Sequence, residues 1–361
     1  MSHVRNNTLT ALDGVRVGHA THVDALTGCT AVVFDRPLSA AVKAYGGGAG
    51  GFNLEGLRGG HTNYGIGGIF VSGGSSTGLL TGAGLMEAMR ADGVGATSGP
   101  DGTIVNPSVS GAAIYDLGME VAPFSADYGR EAYANATAEP IASGNVGAGT
   151  GASVGKYRWL DMGASNPAMK GGVGNARVDI ASGNPGGGIT VCAMSVVNAV
   201  GNVVLPNGQI LAGNRDENGG FSSYEELAEF LTRADAGSSE HNTTITVVGI
   251  NVDLGSLEHY EKVAHFAAHG QVRAINPVHT AGDGDTVFVF STARVTDPLN
   301  STAQYFKESA TDIHLQVDLI GHAAAKAVQE SIYDACRSAR TVLVKGAYGG
   351  IVPSAADYPV R

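Results

Sequence analysis

The sequence predicts an α/β fold. Short runs of β-branched and apolar residues recur along the chain, and segments with apolar residues at helical spacing stand between them. Glycine marks nearly every junction. It makes up 54 of 361 residues, against a usual share of ~7%. No Gly-X-Y period is present, so the glycines imply tight turns and close backbone packing rather than a collagen rod. With 43% hydrophobic residues, the chain can bury a large core as one large domain or two ordinary ones. No composition break marks a domain boundary, and no internal repeat is present.

The elements follow in order. Val15-Arg-Val17 and Thr30 to Phe34 read as strands, with Leu38 to Val42 as a further short one. Gly46 to Gly51 is nearly pure glycine. Gly67 to Ser72 reads as a buried strand that passes through Gly73-Gly74 into a helix from Leu79 to Ala91, ended by Asp92-Gly93. Ala112 to Tyr115 predicts another strand and residues 125–139 a modest helix. Ile189 to Val197 is a long strand ending at Asn198. Val203-Val204 and Gln209 to Leu211 flank Pro206-Asn-Gly208, whose Asn-Gly pair signals a hairpin turn. Ser222 or Ser223 caps a helix through Arg233, with Glu225 and Glu226 in its first turn. Thr243 heads the strand Ile245 to Ile250. Ser256 caps an amphipathic helix to His269, closed by Gly270. Thr286 to Ser291 is a strand, and Val317 to Ala339 a long Ala-rich helix.

Charge and composition exclude several functions. The net charge is −11, with only 22 Lys and Arg and no basic cluster, which excludes a nucleic-acid partner. No apolar stretch approaches the ~18 residues of a membrane span. The N-terminal residues lack the apolar core of a secretory signal, so a cytoplasmic protein is expected. Cys29, Cys192 and Cys336 are far apart and form no CxxC pair. They are read as small packed hydrophobes rather than a disulfide or zinc framework.

Several motifs carry chemistry. Residues 242–244 read Asn-Thr-Thr, behind a polar Gly/Ser-rich stretch at 234–241 that suits a processing loop. Cleavage of the Asn242–Thr243 bond makes Thr243 an N-terminus with a nucleophile, its hydroxyl, and a base, its α-amine, on one residue. The rival is Gly74-Ser-Ser-Thr-Gly78, a GxSxG in a strand–turn–helix context with Ser76 as nucleophile. It would draw on Asp283 with His314 or His322. Gly46 to Gly51 matches GxGxxG, but no convincing helix follows, and a close-packed turn is the better reading. Gly155-Lys156 fails as a P-loop, because Thr150 stands where the first glycine belongs and Tyr157 follows the lysine. A buried Lys156 beside a catalytic amine is left open. His279-Thr-Ala-Gly-Asp-Gly-Asp285 sets two carboxylates two residues apart. They suit a metal with His279, an acid/base or orienting pair, or a solvated turn.

Taken together, these segments resemble one family. Asp13-Gly-Val-Arg-Val-Gly-His-Ala20 resembles its N-terminal signature, Ser72-Gly-Gly-Ser75 with Gly78-Leu79 its turn and helix, and Ala112-Ala-Ile-Tyr-Asp116 its tyrosine strand. Ser153-Val-Gly-Lys156, Asn198, Asn242-Thr-Thr244 and Asp283-Gly-Asp-Thr286 follow in order. The family is the DmpA-type N-terminal nucleophile hydrolases, which include L-aminopeptidase/D-esterases, β-peptidyl aminopeptidases and endo-type 6-aminohexanoate-oligomer hydrolases. The resemblance runs from about residue 10 to about 342 and leaves 343–361 without a counterpart.

The resemblance implies a four-layer αββα sandwich. It also implies one hydrolase domain, 1–361, that cleaves itself into 1–242 and 243–361 and assembles as a tetramer or larger homo-oligomer. It implies Thr243 as nucleophile, Lys156 as the lysine beside its amine, and Asp283 and Asp285 as the groups that hold the ammonium and orient the hydroxyl. Asn198, with Tyr115, is implied as oxyanion donor. The substrate is an amide, with no metal or organic cofactor. The GxSxG becomes scaffold, which demotes Ser76. Thr rather than Ser at 243, Thr244 and the Asp-Gly-Asp pair resemble the nylon-oligomer hydrolase and tilt the substrate that way. Aminopeptidase or esterase action on small peptides is the alternative.

Overall fold

A computed structural model describes residues 5–61, 65–116, 124–156, 167–180, 188–216, 242–295, 309–345 and 350–358, with 218, 220–222, 226, 228–229 and 232. The expected processing loop at 234–241 therefore lies outside the described residues, as does Tyr157. The helix expected over 222–233 lies largely outside them, although Glu226, Ala228, Glu229 and Thr232 are helical.

Among the described residues, nine strands share one sheet. They are β1 (Val15–His22), β2 (Thr27–Ala44), β3 (Gly51–Phe52), β4 (Ile66–Ser72), β5 (Val109–Ala113), β6 (Gly172–Ile180), β7 (Ile189–Asn198), β8 (Thr243–Val252) and β9 (Thr286–Val295). Their order is β6-β7-β8-β9-β2-β4-β5-β3, with β1 paired to β2. The helices are α1 (Ser75–Gly78), α2 (Leu80–Ala91), α3 (Asp127–Ala134), α4 (Leu257–Ala274) and α5 (Ser309–Ser338).

Strand β2 turns this sheet into two layers. Its first half pairs with β1 and β4, and its second half pairs with β9 from Ser39 to Ala44. Between the halves, Asp35-Arg-Pro37 is exposed, and the register with β4 shifts between Val33 and Leu38. The two short strands expected here are thus one bent strand. The polar break that separates them in the sequence is the bend itself.

The residue alternation then sorts side chains into three apolar layers. Val17, Val32, Ile69 and Val71 meet Met194, Ile245, Val247, Phe288 and Phe290 between the two halves of the sheet. Phe70 of β4 faces the other way, onto Leu85 of α2 and Tyr128 of α3. Val248, Ile250, Val287 and Val289 face Val263, Ala267, Ile320 and Val328 of α4 and α5. Helices, sheet, sheet and helices in that order make the expected αββα sandwich. Strands covered on both faces read as near-continuous apolar runs, which is why β8 and β9 were legible.

Other boundaries moved. The strand expected at 112–115 runs from Val109 to Ala113, and the helix expected at 125–139 from Asp127 to Ala134. Edge strand β6 and the hairpin Val342–Val344 with Gly350–Val352 were not foreseen. Ser256 holds the N-cap position of α4 without a side-chain cap bond. Cys29, Cys192 and Cys336 are buried and unpaired. Among the described residues, no helix is long and apolar enough to cross a membrane.

Helix α4 does not stop at Gly270 but runs on to Ala274. Gly270 is instead a contact residue. A Cβ there would lie 2.3 Å from the Ala325 carbonyl oxygen of α5. Gly270→Ala should force the helices apart and cost about 1–3 kcal/mol, read as a lower urea midpoint at unchanged m-value. An unchanged midpoint would show that the crossing is not close.

Candidate active site

Strand β8 starts at Thr243, and in its antiparallel ladder with β7 Thr243 lies opposite Asn198, the last residue of β7. The ladder therefore brings the candidate nucleophile and Asn198 together at one end of the sheet. Asn242, one residue upstream, forms a parallel bridge with Asp283. Its N–H donates to the Gly282 carbonyl at 3.2 Å, and its own carbonyl oxygen accepts the Gly284 N–H at 2.6 Å. The Thr243 hydroxyl donates to that same carbonyl oxygen at 2.5 Å. Asn242 and Thr243 are 3% and 4% exposed.

The glycine run at 46–51 packs beneath this loop. Gly48 N–H donates to the Asp283 carbonyl at 2.8 Å, and Tyr45 N–H to that of Asp285 at 2.8 Å. A Cβ on Gly46 would lie 2.0 Å from the Asp283 carbonyl oxygen. The run is the close-packed turn expected, built for backbone-to-backbone approach.

Both acidic side chains are 1% exposed, which rules out a solvated turn. Asp285 accepts the Thr244 N–H through Oδ1 at 2.5 Å. Its Oδ2 accepts the His279 main-chain N–H and pairs with His279 Nδ1, each at 2.9 Å. His279 sits at φ +57° and stacks on Tyr45, with ring centroids 5.0 Å apart. Asp283 accepts the Thr280 N–H and hydroxyl through Oδ2, at 2.9 and 2.7 Å. Its buried Oδ1 has no hydrogen-bond partner among the described residues. Burial, reinforced by the neighbouring Asp285 carboxylate, pushes Asp283 up to about 6, against the Thr280 hydrogen bonds and the Lys156 charge. Among the described residues, no group of three or more His, Cys, Asp or Glu could hold a metal.

Lys156 is buried against β7. Its ammonium donates to the Asn198 carbonyl at 3.1 Å and to Asn198 Oδ1 at 2.8 Å. Asn198 Oδ1 also accepts the Ser153 N–H at 3.0 Å, and Nδ2 donates to the Tyr115 carbonyl at 3.0 Å. Tyr115 thus reaches Asn198 through its main chain, and Asn198 has one amide hydrogen of its two committed there. The fold gathers Asn242, Thr243, Asn198, Lys156, Asp283 and Asp285 around one peptide bond.

Three residues of this neighbourhood escaped the sequence reading. Lys170 is fully buried and donates to the carbonyls of Thr150 at 2.9 Å and Ala152 at 2.5 Å. Burial pulls it down to about 7. It holds the segment that carries Ser153 and Lys156. Gln271 of α4 donates to the Thr244 carbonyl at 3.2 Å and the Thr246 hydroxyl at 3.1 Å. The only signal for either was a polar residue in an apolar setting. His279 was weighed only as a metal ligand, and its bond to Asp285 has no local signature.

The rival triad is not assembled. Ser76 is exposed on α1, and its hydroxyl has no His or carboxylate partner among the described residues. The glycine turn before it is organised by buried Asp116, whose Oδ1 accepts the Gly74 N–H at 2.7 Å. His322 packs edge-on against Phe266 in the helical layer on the far side of both sheets, and His314 is exposed on the same helix, α5.

The shifted Asp283 predicts a pH effect. Its raised pKa means that the folded chain holds this proton more tightly than the unfolded chain. The resulting stability is complete below about pH 4 and is lost as pH rises through about 6. Asp116, which burial also raises to about 6, contributes in the same window. In a Thr243→Ala chain, Asp283→Asn should flatten part of the fall in unfolding midpoint between pH 4 and 6. An unchanged slope would contradict the buried, protonatable Asp283.

Comparison with known proteins identifies the family and the fold. The model of Peptidase family S58 matches residues 7–348. A protein of Mycobacterium tuberculosis named an uncharacterized aminopeptidase is 31% identical, over 97% of this chain and 99% of its own length. The 6-aminohexanoate-oligomer endohydrolase of Kocuria sp. strain KY2 is 30% identical, over 79% of this chain and 75% of its own. A Burkholderia sp. β-aminopeptidase superposes with TM-score 0.66 at 21% identity, covering 97% of this chain and 91% of that one. The L-aminopeptidase D-Ala-esterase/amidase of Ochrobactrum anthropi, described as a variant of the Ntn hydrolase fold, superposes with TM-score 0.65 at 17% identity, over 97% and 91%. The chain belongs to Peptidase family S58 and is a hydrolase of the N-terminal nucleophile fold.

Proposed function

We propose that this hydrolase is made by self-cleavage at Asn242–Thr243 and then uses Thr243 to hydrolyse amide bonds. The observation that carries the reading is the Thr243 hydroxyl seated on the carbonyl of its own preceding peptide, 2.5 Å from the oxygen. In the precursor, Thr243 Oγ attacks the Asn242 carbonyl carbon, and an N→O acyl shift gives an ester. Water then cleaves that ester, and the fragments are residues 1–242 and 243–361.

In the mature enzyme the new α-amine, with a reference pKa of about 7.7–8.0, is the base for its own hydroxyl. The Lys156 ammonium lowers that pKa by like-charge repulsion. Asp283 Oδ1, buried without a partner among the described residues, suits the new ammonium, which does not exist until cleavage. Asp285 orients the strand start through Thr244 N–H, with His279 behind it. Asn198, with Tyr115, supplies oxyanion stabilisation through its remaining amide hydrogen.

Thr243-Thr244 and the Asp-Gly-Asp pair support internal amide bonds of 6-aminohexanoate-type oligomers as substrate. The longer match to the proteins named aminopeptidases supports the second reading, attack beside a free amino terminus. Blocked and unblocked oligomers separate the two: internal fragments from blocked oligomers mark endo action, and dependence on a free terminus marks an aminopeptidase. One domain, assembly into homotetramers and a cytoplasmic location belong to the same proposal.

Purified protein should run as two bands of about 24 and 12 kDa, taking the 36.6 kDa chain in proportion to length. Thr243→Ala should leave one band and abolish amide hydrolysis, while Thr243→Ser should still cleave. An intact chain that is active regardless of Thr243, and that Ser76→Ala inactivates, would overturn the reading.

A further inference from the structure

The geometry points to the main-chain N–H of Gly284 as a second, main-chain oxyanion donor at Thr243, beside the Asn198 amide, in self-cleavage and in turnover of external amides. The inference rests on the reading of Thr243 as nucleophile. When Thr243 Oγ bonds to the Asn242 carbonyl carbon, the C=O π pair moves onto the carbonyl oxygen. That oxygen already accepts the Gly284 N–H at 2.6 Å. The donor is therefore in place before charge develops, and no reorganisation is needed. Collapse restores the carbonyl and breaks the C–N bond. The nitrogen leaves as the α-amine carrying the proton that the hydroxyl lost. Attack of water on the ester puts negative charge on the same oxygen, and an external amide presents its carbonyl oxygen to the same N–H once Asn242 has left.

Two further observations single out Gly284. Its N–H belongs to the Asp283–Gly284 peptide, whose carbonyl accepts the Gly48 N–H at 2.8 Å. The chain Gly48 N–H, Asp283 C=O, Gly284 N–H, Asn242 C=O polarises in one direction, and each bond strengthens the next. The glycine-rich run that looked like a nucleotide motif thereby supports the donor. A Cβ at position 284 would also fall 2.8 Å from Thr243 Oγ and 3.1 Å from the Gly48 carbonyl oxygen. Only a residue without a side chain brings its N–H to this carbonyl while leaving the hydroxyl free. Asn198 commits one of its two amide hydrogens to the Tyr115 carbonyl and keeps the other to donate.

The test replaces Gly284 by glycolic acid through nonsense suppression, which exchanges one N–H for an ester oxygen. The same exchange at Gly208, whose N–H closes a turn onto the Leu205 carbonyl at 2.9 Å outside the site, is the control. Self-cleavage of the Gly284 ester should slow by about 10²–10³, and kcat of whatever matures should fall comparably with KM little changed. The Gly208 ester should behave as the native chain. Cleavage of the Gly284 ester at the native rate would overturn the donor assignment. A native chain that never splits, or a Thr243→Ala chain that does, would instead overturn the parent reading. Hydrogen exchange in the uncleaved Thr243→Ala chain needs no backbone change. The Gly284 amide should be protected there, and exchange as fast as an open loop would also overturn the assignment.

Discussion

The hold on a single peptide bond constrains everything around it. Asn242 is pinned on both sides by the 282–284 backbone, and Thr243 is locked into the β7–β8 ladder opposite Asn198. A peptide held by main chain on both flanks cannot rotate away from its own hydroxyl. The glycines follow from this. The loop at 279–285 must touch both Asn242 and the run at 46–48 through backbone atoms, and side chains there would fill the gap. The parallel pairing of β8 with β9 sets the Asp-Gly-Asp loop beside Asn242, and the bend in β2 folds the other half of the sheet over that pair.

The second constraint is charge. Lys156, Asp283 and Asp285 are all taken out of water. Burying ions costs several kcal/mol each unless attraction and hydrogen bonds offset it. Here Asn198 receives the ammonium, Thr244 and His279 satisfy Asp285, and Thr280 satisfies one oxygen of Asp283. Its other oxygen has no partner among the described residues, and burial, reinforced by the Asp285 carboxylate, raises Asp283 to about 6. That oxygen is also the one that, under the proposed self-cleavage, would face a new positive charge at Thr243. Removing either carboxylate therefore disturbs both the electrostatics and the loop that presents Gly284.

Much of this was legible in the chain. Thr243 at the first position of a buried strand followed from the β-branched run behind it, and Asn198 from the strand it ends. What failed to read were features made by contact rather than by pattern. Asp35-Arg-Pro37 looks like a loop because two charged residues and a proline without an N–H interrupt the apolar run, yet the backbone continues through it as one strand. Gly270 has the form of a helix stop and is a crossing point. Strand β6 hides behind glycine and polar residues, because Gly174 must admit the backbone of α5. Lys170 and Gln271 act through partners 18 to 27 residues away in sequence, which no local spacing announces, and His279 lies in a motif that fits several readings until the fold sets its ring against Asp285. The Ser76 turn shows the converse: a complete local motif whose partners the layers keep on opposite faces.

The central claim is that the acyl group of an amide substrate travels through the Thr243 hydroxyl. Acid-quenching the processed enzyme during turnover and mapping the retained acyl mass by peptide mass spectrometry tests it directly. The acyl group should sit as an ester on the fragment that begins with Thr243, and it should be absent when substrate is omitted. Acyl mass on Ser76, or on any peptide that does not begin at Thr243, would contradict the account.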